Sequence, residues 1–257
     1  MNDTLNSRQK QIVDLVQGFH FMTIKQLAQK LQVSEMTIRR DIQLLTECDL
    51  LNQVFGGVTA LKPSEAEKKY SVAQAMSHNI SLKIKIAQKA MELFGPDEVV
   101  FFDSGTTIQT LAEQLPVNSS YTAICSSFNT LEVLVKLPDC TIISSGGVYS
   151  PRSKVFYSHG SGDFYKQYRA NKAFIGTTGF ELNLGLTCSY MEDVPIKQAM
   201  IESSKERILL TDSTKFGKVS TCLFGNINDF STVITDSGIS HEYAHYISSS
   251  GVELIIV

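Results

Sequence analysis

The 257-residue chain is 43% hydrophobic and 19% charged, and it holds 16 glycines and 6 prolines. This balance is ordinary for globular proteins and excludes collagen-like, low-complexity and disordered classes. The net charge of −3 comes from 26 acidic and 23 basic residues. It excludes a broadly basic surface but not a small local contact with nucleic acid. At roughly 150 residues per domain, the length predicts two domains.

Nothing in the chain predicts export or insertion into a membrane. No apolar run approaches the roughly 18 residues of a membrane span. The first residues lack the basic and apolar segments of a signal peptide. Five scattered cysteines include no CxxC pair. We therefore expect a cytoplasmic protein with reduced thiols and without a disulfide framework, a bound metal or a cofactor.

Residues 1–62 have the spacing of three short helices and a hairpin. Ser7, Thr23 and Ser34 can each cap a helix. The apolar positions are Ile12, Val13, Leu15 and Val16 in the first helix, Ile24, Leu27, Ala28 and Leu31 in the second, and Ile38, Ile42 and Leu45 in the third. The first helix ends at Gly18, and Gln32-Val33 leaves a tight turn between the second and third. Predicted strands Leu50–Phe55 and Val58–Leu61 flank Gly56-Gly57, a hairpin signal.

This order of elements is typical of a winged helix-turn-helix, whose last helix enters the major groove of DNA. The exposed face of the third helix carries Glu35, Thr37, Arg39, Arg40 and Gln43. Arginine can grip a phosphate or the edge of guanine, and the Ser34 and Thr37 hydroxyls can cap the helix or reach a phosphate. A solvated amphipathic helix is the alternative, because residues 1–57 hold six acidic and six basic residues. Because the net charge of residues 1–57 is zero, one copy should bind DNA weakly. We therefore expect a dimer on paired half-sites.

The polar stretch 63–80 predicts a linker, and residues 81–257 predict a mostly parallel, doubly wound α/β domain. Strands and helices alternate there, and several strands are apolar throughout, as in a sheet covered on both faces. The predicted strands are Val99–Phe102, Tyr121–Cys125, Thr141–Ser145, Lys172–Ile175, Ile208–Thr211, Thr232–Thr235 and Glu253–Val257. The predicted helices are Ser81–Phe94, Thr107–Gln114, Asn129–Lys136, Val194–Ser204 and His241–Ser249.

Small and polar residues follow several of these strands. In a parallel sheet such loops share one edge, where ligands bind, and their amides and hydroxyls suit a phosphate. The loops contain Asp103, Ser104, Gly105, Thr106 and Thr107 after one strand, Ser126 to Asn129 after the next, Gly146 and Gly147, and Asp212 to Gly217 with Lys215. The sequence therefore predicts a site for a small phosphorylated polyol. An ordinary strand-to-helix turn, capped by Ser104 or Thr106, is the alternative.

His241-Glu242-Tyr243-Ala244-His245 matches the pattern of a zinc peptidase helix. A catalytic zinc needs a third protein ligand. Only 12 residues follow His245, and none of them is histidine. An exposed helix is therefore the prediction here.

The separated motifs resemble the DeoR family of bacterial repressors of sugar and nucleoside metabolism. The resemblance rests on Arg8 to Gly57, with Ser34 to Asp41 in the third helix, and on Asp103 to Thr107, Ser144 to Gly147 and Asp212 to Gly217. It implies a winged helix-turn-helix repressor, a homo-oligomer, that a phosphorylated sugar releases from its operator. The implied DNA contacts are Thr23, Ser34, Glu35, Met36, Thr37, Arg39, Arg40 and Gln43, and Lys197 joins the implied effector contacts with Ser126, Asn129, Gly146, Gly147, Asp212 and Lys215.

Within the family, Thr122 to Cys125, Val194 to Lys197 and Lys215 to Val219 look most like the deoxyribonucleoside repressors, which makes deoxyribose 5-phosphate the first effector to test. The second unit also resembles ribose-5-phosphate isomerase and glucosamine-6-phosphate deaminase, so an enzyme is the alternative. Isomerisation needs a carboxylate to move a proton. Thr177-Thr178-Gly179 stands where the isomerase has acids, and Ile196 stands where it has a Glu, unless Glu192 or Asp193 substitutes.

Overall fold

A computed structural model describes residues 6–19, 21–47, 50–54, 57–60, 72–118, 120–158 and 160–257. The chain divides into two compact units, Met1–Lys69 and Tyr70–Val257. None of the helices within the described ranges is long and apolar enough to span a membrane.

The N-terminal unit is a three-helix core with a small antiparallel sheet. Its elements are α1 (Ser7–Phe19), β1 (Phe21–Thr23), α2 (Ile24–Leu31), α3 (Glu35–Glu47), β2 (Leu51–Val54) and β3 (Gly57–Ala60). The sheet order is β1-β3-β2, so the predicted hairpin gains a third strand. Phe55, Gly56 and Leu61 of that hairpin prediction lie outside the described residues.

Side-chain caps fix the helix boundaries of this unit. Thr23 and Gln26 form a reciprocal capping box at the start of α2, and the Ser34 hydroxyl accepts the Thr37 amide at the start of α3, as predicted. The cap predicted at Ser7 was wrong, because the Asn6 side chain accepts the Gln9 amide at 2.9 Å and Ser7 already lies inside α1. Ile38, Ile42 and Leu45 are buried in the core of the unit, as their spacing predicts.

The C-terminal unit is a seven-stranded sheet with helices on both faces. Its elements are α4 (Val72–Ser77), α5 (Ile80–Met91), β4 (Glu98–Phe102), α6 (Thr106–Ala112), β5 (Tyr121–Cys125), α7 (Phe128–Leu134), β6 (Cys140–Ile143), β7 (Val148–Ser150), β8 (Val155–Tyr157), α8 (Ser161–Lys166), β9 (Ala170–Gly176), β10 (Gly179–Glu181), β11 (Gly185–Cys188), α9 (Asp193–Glu202), β12 (Ser204–Leu210), β13 (Cys222–Gly225), β14 (Thr232–Thr235), α10 (His241–Ser249) and β15 (Glu253–Ile256). Helix α4 lies within the stretch 63–80 that was predicted to be a linker.

The sheet order is β15-β14-β12-β9-β4-β5-β6, and its neighbouring strands pair in parallel. All seven predicted strands are in this sheet. The chain runs outward from β4 through β5 to β6, then returns to β9 and runs outward the other way. The strand order therefore reverses between β4 and β9, which is where α/β sheets bind ligands.

Two hydrophobic clusters cover the two faces of the sheet. One contains residues of α5, α6 and α7, with Val100 and Phe102 of β4. The other contains residues of α8, α9 and α10, with Phe101 of β4. Successive side chains of β4 thus enter opposite clusters, as in a strand buried on both faces. The antiparallel sheet β10-β11-β13 and the hairpin β7-β8 were not predicted from the sequence.

Candidate functional site

The exposed face of α3 is the candidate DNA contact. Met36, Arg39, Arg40 and Gln43 are exposed, and their i, i+3, i+4, i+7 spacing puts them on one side of the helix. Met36 is 64% exposed, which is unusual for a residue of its hydrophobicity. Glu35 is also exposed, in the first turn. The predicted contacts on α3 thus form one surface patch.

The hydroxyls predicted to contact DNA already have partners in the protein. Thr23 bonds Gln26 within its capping box. Ser34 and Thr37 lie 2.9 Å apart, oxygen to oxygen. Hydroxyls can accept a further bond, so a phosphate contact would add to these bonds without replacing them.

A buried carboxylate fixes α3 against α1. Asp41, which is almost fully buried, accepts from Arg8 Nε at 2.6 Å and from Gln9 Nε2 at 3.3 Å. Asp41 follows Arg40 directly, yet it points inward while Arg40 points outward. The acid therefore holds the helix in place and is kept off the face that carries the arginines.

The second candidate site is a pocket at the carboxyl ends of β4, β9 and β12. It is an open cleft, whose empty space, including solvent at its mouth, is about 550 Å³. The predicted residues Asp103, Ser104, Gly105, Thr106, Thr107, Lys197, Asp212 and Lys215 all line it. The loops after β4 and β9 flank the point where the strand order reverses, so the fold itself brings these residues together.

One side of the pocket, here called the α6 side, consists of Ser104 to Thr107 and Lys215. Gly105 precedes α6, and no side chain caps that helix among the described residues. Asn79, which precedes α5, donates to Asp212 Oδ1 in the loop that carries Lys215, and α5 packs with α6 against the same face of the sheet. The pKa of buried Lys83 of α5 is lowered by desolvation; the charge of Asp212 opposes this shift and the charge of Lys215 adds to it. This side offers hydroxyls and an ammonium group.

Asp212 lines the pocket and is bonded through one of its two carboxylate oxygens. Its Oδ1 accepts the backbone amide of Thr214 at 3.1 Å and the side-chain amide of Asn79 at 3.2 Å, and it also bonds the Thr214 hydroxyl. Asp212 thus orders the loop that carries Lys215.

The opposite side, here called the α9 side, is built on a buried ion pair. Lys197 Nζ bonds Asp103 Oδ2 and donates to the Gly176 carbonyl at 2.9 Å, and the Gly176 amide donates to the same Asp103 oxygen at 2.9 Å. Lys197 Nζ also lies 4.9 Å from the centre of the Phe224 ring. Burial opposes the charge of Lys197, but attraction to Asp103 and Asp193 exceeds this cost and raises its pKa. The pair therefore joins α9 to the ends of β4 and β9.

A second carboxylate lies beside this ion pair. Asp193, one helical turn before Lys197, is 8% exposed and lines the pocket. The Tyr157 hydroxyl donates to Asp193 Oδ1 at 2.6 Å. Burial raises the pKa of Asp193 to about 6, although Lys197 and the Tyr157 hydroxyl act in the opposite direction.

Four predicted effector residues do not line the pocket. Ser126 is buried and its carbonyl accepts the Phe156 amide, while Asn129 contacts the Met76 sulfur at 3.6 Å. Gly146 and Gly147 have positive φ angles of 59° and 111°, and a Cβ at Gly147 would lie 2.2 Å from the Tyr157 carbonyl oxygen. The hairpin β7-β8 therefore requires this glycine for its own geometry. Their role in effector binding stays a prediction.

The zinc-peptidase motif lies on α10, where His241 and His245 are both exposed. No group of three metal-ligating side chains occurs within the described ranges.

The two units match two family models. Residues 8–64 match the DeoR-like helix-turn-helix domain, and residues 78–237 match the DeoR C-terminal sensor domain. This chain belongs to the DeoR family. The winged helix-turn-helix and the α/β unit of the resemblance are thereby confirmed, and the α9 and α6 sides of the pocket lie in the sensor domain.

Relatives of this DeoR-family chain match over nearly its whole length. It is 31% identical to an uncharacterized HTH-type transcriptional regulator of Haemophilus influenzae, over 97% of this chain and 96% of that one. It is 30% identical to the deoxyribose operon repressor of Escherichia coli K12, over 90% of each chain. These relatives are named as regulators and not as enzymes, so this chain is a transcriptional regulator.

Among solved structures, ribose 5-phosphate isomerase A of Methanocaldococcus jannaschii aligns with a TM-score of 0.40 and 18% identity, over 54% of this chain and 55% of that one. A similarity of this size carries no conclusion about activity.

The sensor domain holds pocket residues that the sequence did not lead us to select. Asp193 was considered only as a substitute for an isomerase acid, although its i, i+4 spacing to Lys197 predicts one helix face. Glu192, the other substitute considered, is exposed. Ser153 lines the pocket from the turn of the β7-β8 hairpin. Two short apolar runs around Pro151 were the available signal for that hairpin.

Proposed function

We propose that this regulator represses a sugar or nucleoside operon and leaves its operator when a phosphorylated sugar fills the pocket of the sensor domain. The observation that carries the proposal is the pocket at the strand-order reversal, with hydroxyls and an ammonium on its α6 side. The same chain exposes a helix face with two adjacent arginines, Arg39 and Arg40. A ligand site and a DNA-contact face in one chain are the two parts that induction requires.

The phosphate binds on the α6 side in this proposal. The α9 side carries two carboxylates, Asp103 and Asp193, against one ammonium, Lys197. The α6 side carries Lys215 and the hydroxyls of Ser104, Thr106 and Thr107, so its ammonium balances the charge of Asp212, which bonds Thr214 and Asn79 through Oδ1. Charge and hydrogen-bonding capacity therefore favour a dianion there.

The name of the Escherichia coli relative supports deoxyribose 5-phosphate as the first effector to test. Release needs a large differential affinity: moving an equilibrium from mostly bound to mostly free takes about 5 kcal/mol between the two states. The near-zero charge of residues 1–57 supports a dimer on paired half-sites, since one weakly charged copy gains little from phosphate contacts.

The test is operator binding by the full chain, measured by fluorescence anisotropy on duplexes from its own promoter region. Deoxyribose 5-phosphate, ribose 5-phosphate and inorganic phosphate are added in turn. We expect specific binding that a sugar phosphate weakens at least tenfold, which is about 1.4 kcal/mol. Binding that no sugar phosphate changes would contradict the induction part of the proposal. Absence of binding to any promoter duplex would contradict the repressor itself.

A sugar-phosphate isomerase with a DNA-binding unit is the alternative, and Asp193 favours it, because a buried carboxyl with a pKa near 6 can transfer a proton. Incubation with ribose 5-phosphate or glucosamine 6-phosphate, followed by assays for ketose and ammonia, separates the two functions. We expect no turnover above the protein-free rate.

A further inference from the structure

The hydroxyl of Ser153 lacks a partner inside the pocket wall. Ser153 is 4% exposed and lines the pocket. Its Oγ has no partner at full hydrogen-bonding geometry among the described residues. It does lie close enough to the Tyr157 hydroxyl to lower the pKa of that group. An unpaired buried hydroxyl costs free energy, so its persistence at a ligand site points to a partner supplied by the ligand.

The backbone holds Ser153 in this position. The hairpin is joined to the end of β5: the Phe128 amide donates to the Lys154 carbonyl at 2.8 Å and the Phe156 amide to the Ser126 carbonyl at 2.9 Å. Lys154, the next residue, has a left-handed φ of 55°. A non-glycine residue in that region is uncommon and is kept where the surroundings fix it. Ser153 is thus set into the pocket wall by a braced turn.

Asp193 supplies a second free polar atom on the same side. Its Oδ1 accepts from Tyr157, which belongs to the strand that follows Ser153, whereas Oδ2 has no hydrogen-bond partner among the described residues. The hairpin and α9 therefore meet here, and they present one hydroxyl and one carboxylate oxygen. A ligand hydroxyl can donate to the carboxylate and accept from the serine.

The charged side chains that line the α9 side of the pocket oppose an acid group on the ligand. Asp103, Asp193 and Lys197 line the pocket on the α9 side, and the ammonium of Lys197 is already bonded to Asp103 and to the Gly176 carbonyl. A carboxylate on the ligand would lie beside Asp193. Lys197, the cation among these three residues, is already bonded and could not balance it. An uncharged hydroxyl meets two suitable partners in the same place.

We infer that Ser153 and Asp193 are specificity-determining residues that recognise a hydroxyl on the carbon chain of the effector, and that they favour phosphorylated polyols and sugars over phosphorylated sugar acids. The inference rests on the proposed function, since it takes the phosphate to lie on the α6 side. Beyond that function, it states that the protein recognises a hydroxyl on the carbon chain and binds phosphorylated sugar acids less tightly.

Three matched pairs of ligands test this, each with one phosphate and differing only in a terminal CH₂OH or carboxylate. They are glycerol 3-phosphate with 3-phosphoglycerate, ribitol 5-phosphate with 5-phosphoribonate, and glucitol 6-phosphate with 6-phosphogluconate. Titration calorimetry on the full chain gives each affinity, with inorganic phosphate as the reference for anion binding alone. In the pair that binds most tightly, we expect the polyol to be favoured about tenfold or more, since one hydrogen bond to a charged group contributes that much.

The variants are Ser153→Ala and Asp193→Asn, with Ser150→Ala as the control on the same hairpin but outside the pocket lining. Ser153→Ala should lower polyol affinity severalfold and leave the affinity for inorganic phosphate unchanged. It should not lower thermal stability, because it removes a buried hydroxyl that makes no hydrogen bond of full geometry. Asp193→Asn should raise the affinity for the sugar acid, because it removes the opposing charge. Ser150→Ala should change neither.

Equal affinity for polyol and sugar acid would overturn the inference, and so would a preference that both variants leave intact. Ligand pairs that bind no more tightly than inorganic phosphate would overturn it too, while leaving anion binding and the proposed function in place. If neither the pairs nor inorganic phosphate bind, both the inference and the effector part of the proposed function fail.

Discussion

The DNA-binding unit and the sensor domain build their candidate sites in opposite ways. On α3 the exposed candidate side chains lie between Glu35 and Gln43 and share one helix face. In the pocket they are largely buried and come from loops that lie up to 112 residues apart, Asp103 and Lys215 being the extremes among the predicted residues. The first site is fixed by local spacing, the second by the order of strands in the sheet.

This difference predicts which substitutions affect stability as well as function. An exposed side chain on a helix can change with little effect on folding, so its loss should appear mainly in binding. A buried, paired side chain contributes to both, since removing one partner leaves the other charged and unpaired. Substitutions on the exposed face of α3 should therefore change DNA binding alone, and substitutions of paired pocket residues should change both binding and stability.

The largest effect is expected at Lys197. Lys197→Met leaves Asp103 buried without its cation, so the free energy of unfolding should fall by about 3–5 kcal/mol. Urea unfolding of the full chain measures it. Lys172→Met is the matched control: it breaks a buried pair with Glu98, which begins β4 at the other end of the strand. Both variants should lose stability, but only Lys197→Met should also lose effector response at a temperature where both are folded. Equal responses would mean that the Lys197 pair is structural alone.

The next effect is a pH dependence at Asp193. Its pKa is about 6 in the folded protein against 3.8 for an unperturbed aspartate, so the folded state holds this proton more tightly than the unfolded state. Stability from this group is therefore present below pH 4 and is lost as the pH rises from about 4 to about 6, by on the order of 3 kcal/mol. Tyr157, Lys197, Asp103 and Glu192 are the groups that act on it.

Asp193→Asn removes this titration. The stability of the variant relative to the unsubstituted protein should rise across pH 4–6 and stay constant above it, in urea unfolding at several pH values. A pH-independent difference would contradict a buried, proton-binding Asp193.

A smaller effect, confined to binding, is expected at Arg39. Arg39→Ala should weaken operator binding by about 1–3 kcal/mol if the side chain reads a base, and leave the unfolding midpoint nearly unchanged because the residue is exposed. Lys136→Ala changes the net charge equally, at an exposed position after α7 of the sensor domain, and should leave operator binding intact. Identical affinities and salt dependence for the two variants would remove Arg39 from the DNA contact.

The smallest effect is expected at Thr23. Thr23→Ala removes the side-chain half of the capping box on α2 and should cost about 1 kcal/mol of stability. Thr46→Ala in the same unit only removes a bond back to the Ile42 carbonyl within α3 and should cost less. A larger loss at Thr46 would show that capping does not set the boundary of α2.

The contrast also explains what the sequence could predict. Helical spacing and caps were sufficient to predict α2 and α3. In α3, for example, the spacing of Ile38, Ile42 and Leu45 predicts the buried face of the helix. All seven strands of the main sheet were found from apolar runs between turn residues. The cap of α1 was misassigned by one residue, since Asn6 and Ser7 are equally good caps in isolation.

Pairings between distant residues were beyond such patterns. The ion pair of Lys197 with Asp103 spans 94 positions, and its existence depends on β4 and β9 being neighbours. Ser153 reaches the pocket only because the hairpin β7-β8 bridges to Ser127, a tertiary contact that no local spacing reports. Gly146 and Gly147 were selected from a local pattern that does not identify its cause. A glycine pair allows close approach of any neighbour, and the close neighbour of Gly147 is the backbone of Tyr157 in β8.

Val72 gives the pocket a direct physical link to the start of the sensor domain. It is the first residue of α4, it is buried, and it lines the pocket. Lys83 Nζ fixes the end of α4 by donating to the carbonyl of Ala75 at 2.5 Å and to that of His78, just after the helix, at 2.7 Å. The Asn79 side chain donates to Asp212 Oδ1 in the loop after β12. A molecule bound in the pocket is therefore in reach of α4, the first described helix of the C-terminal unit, without crossing the hydrophobic interior.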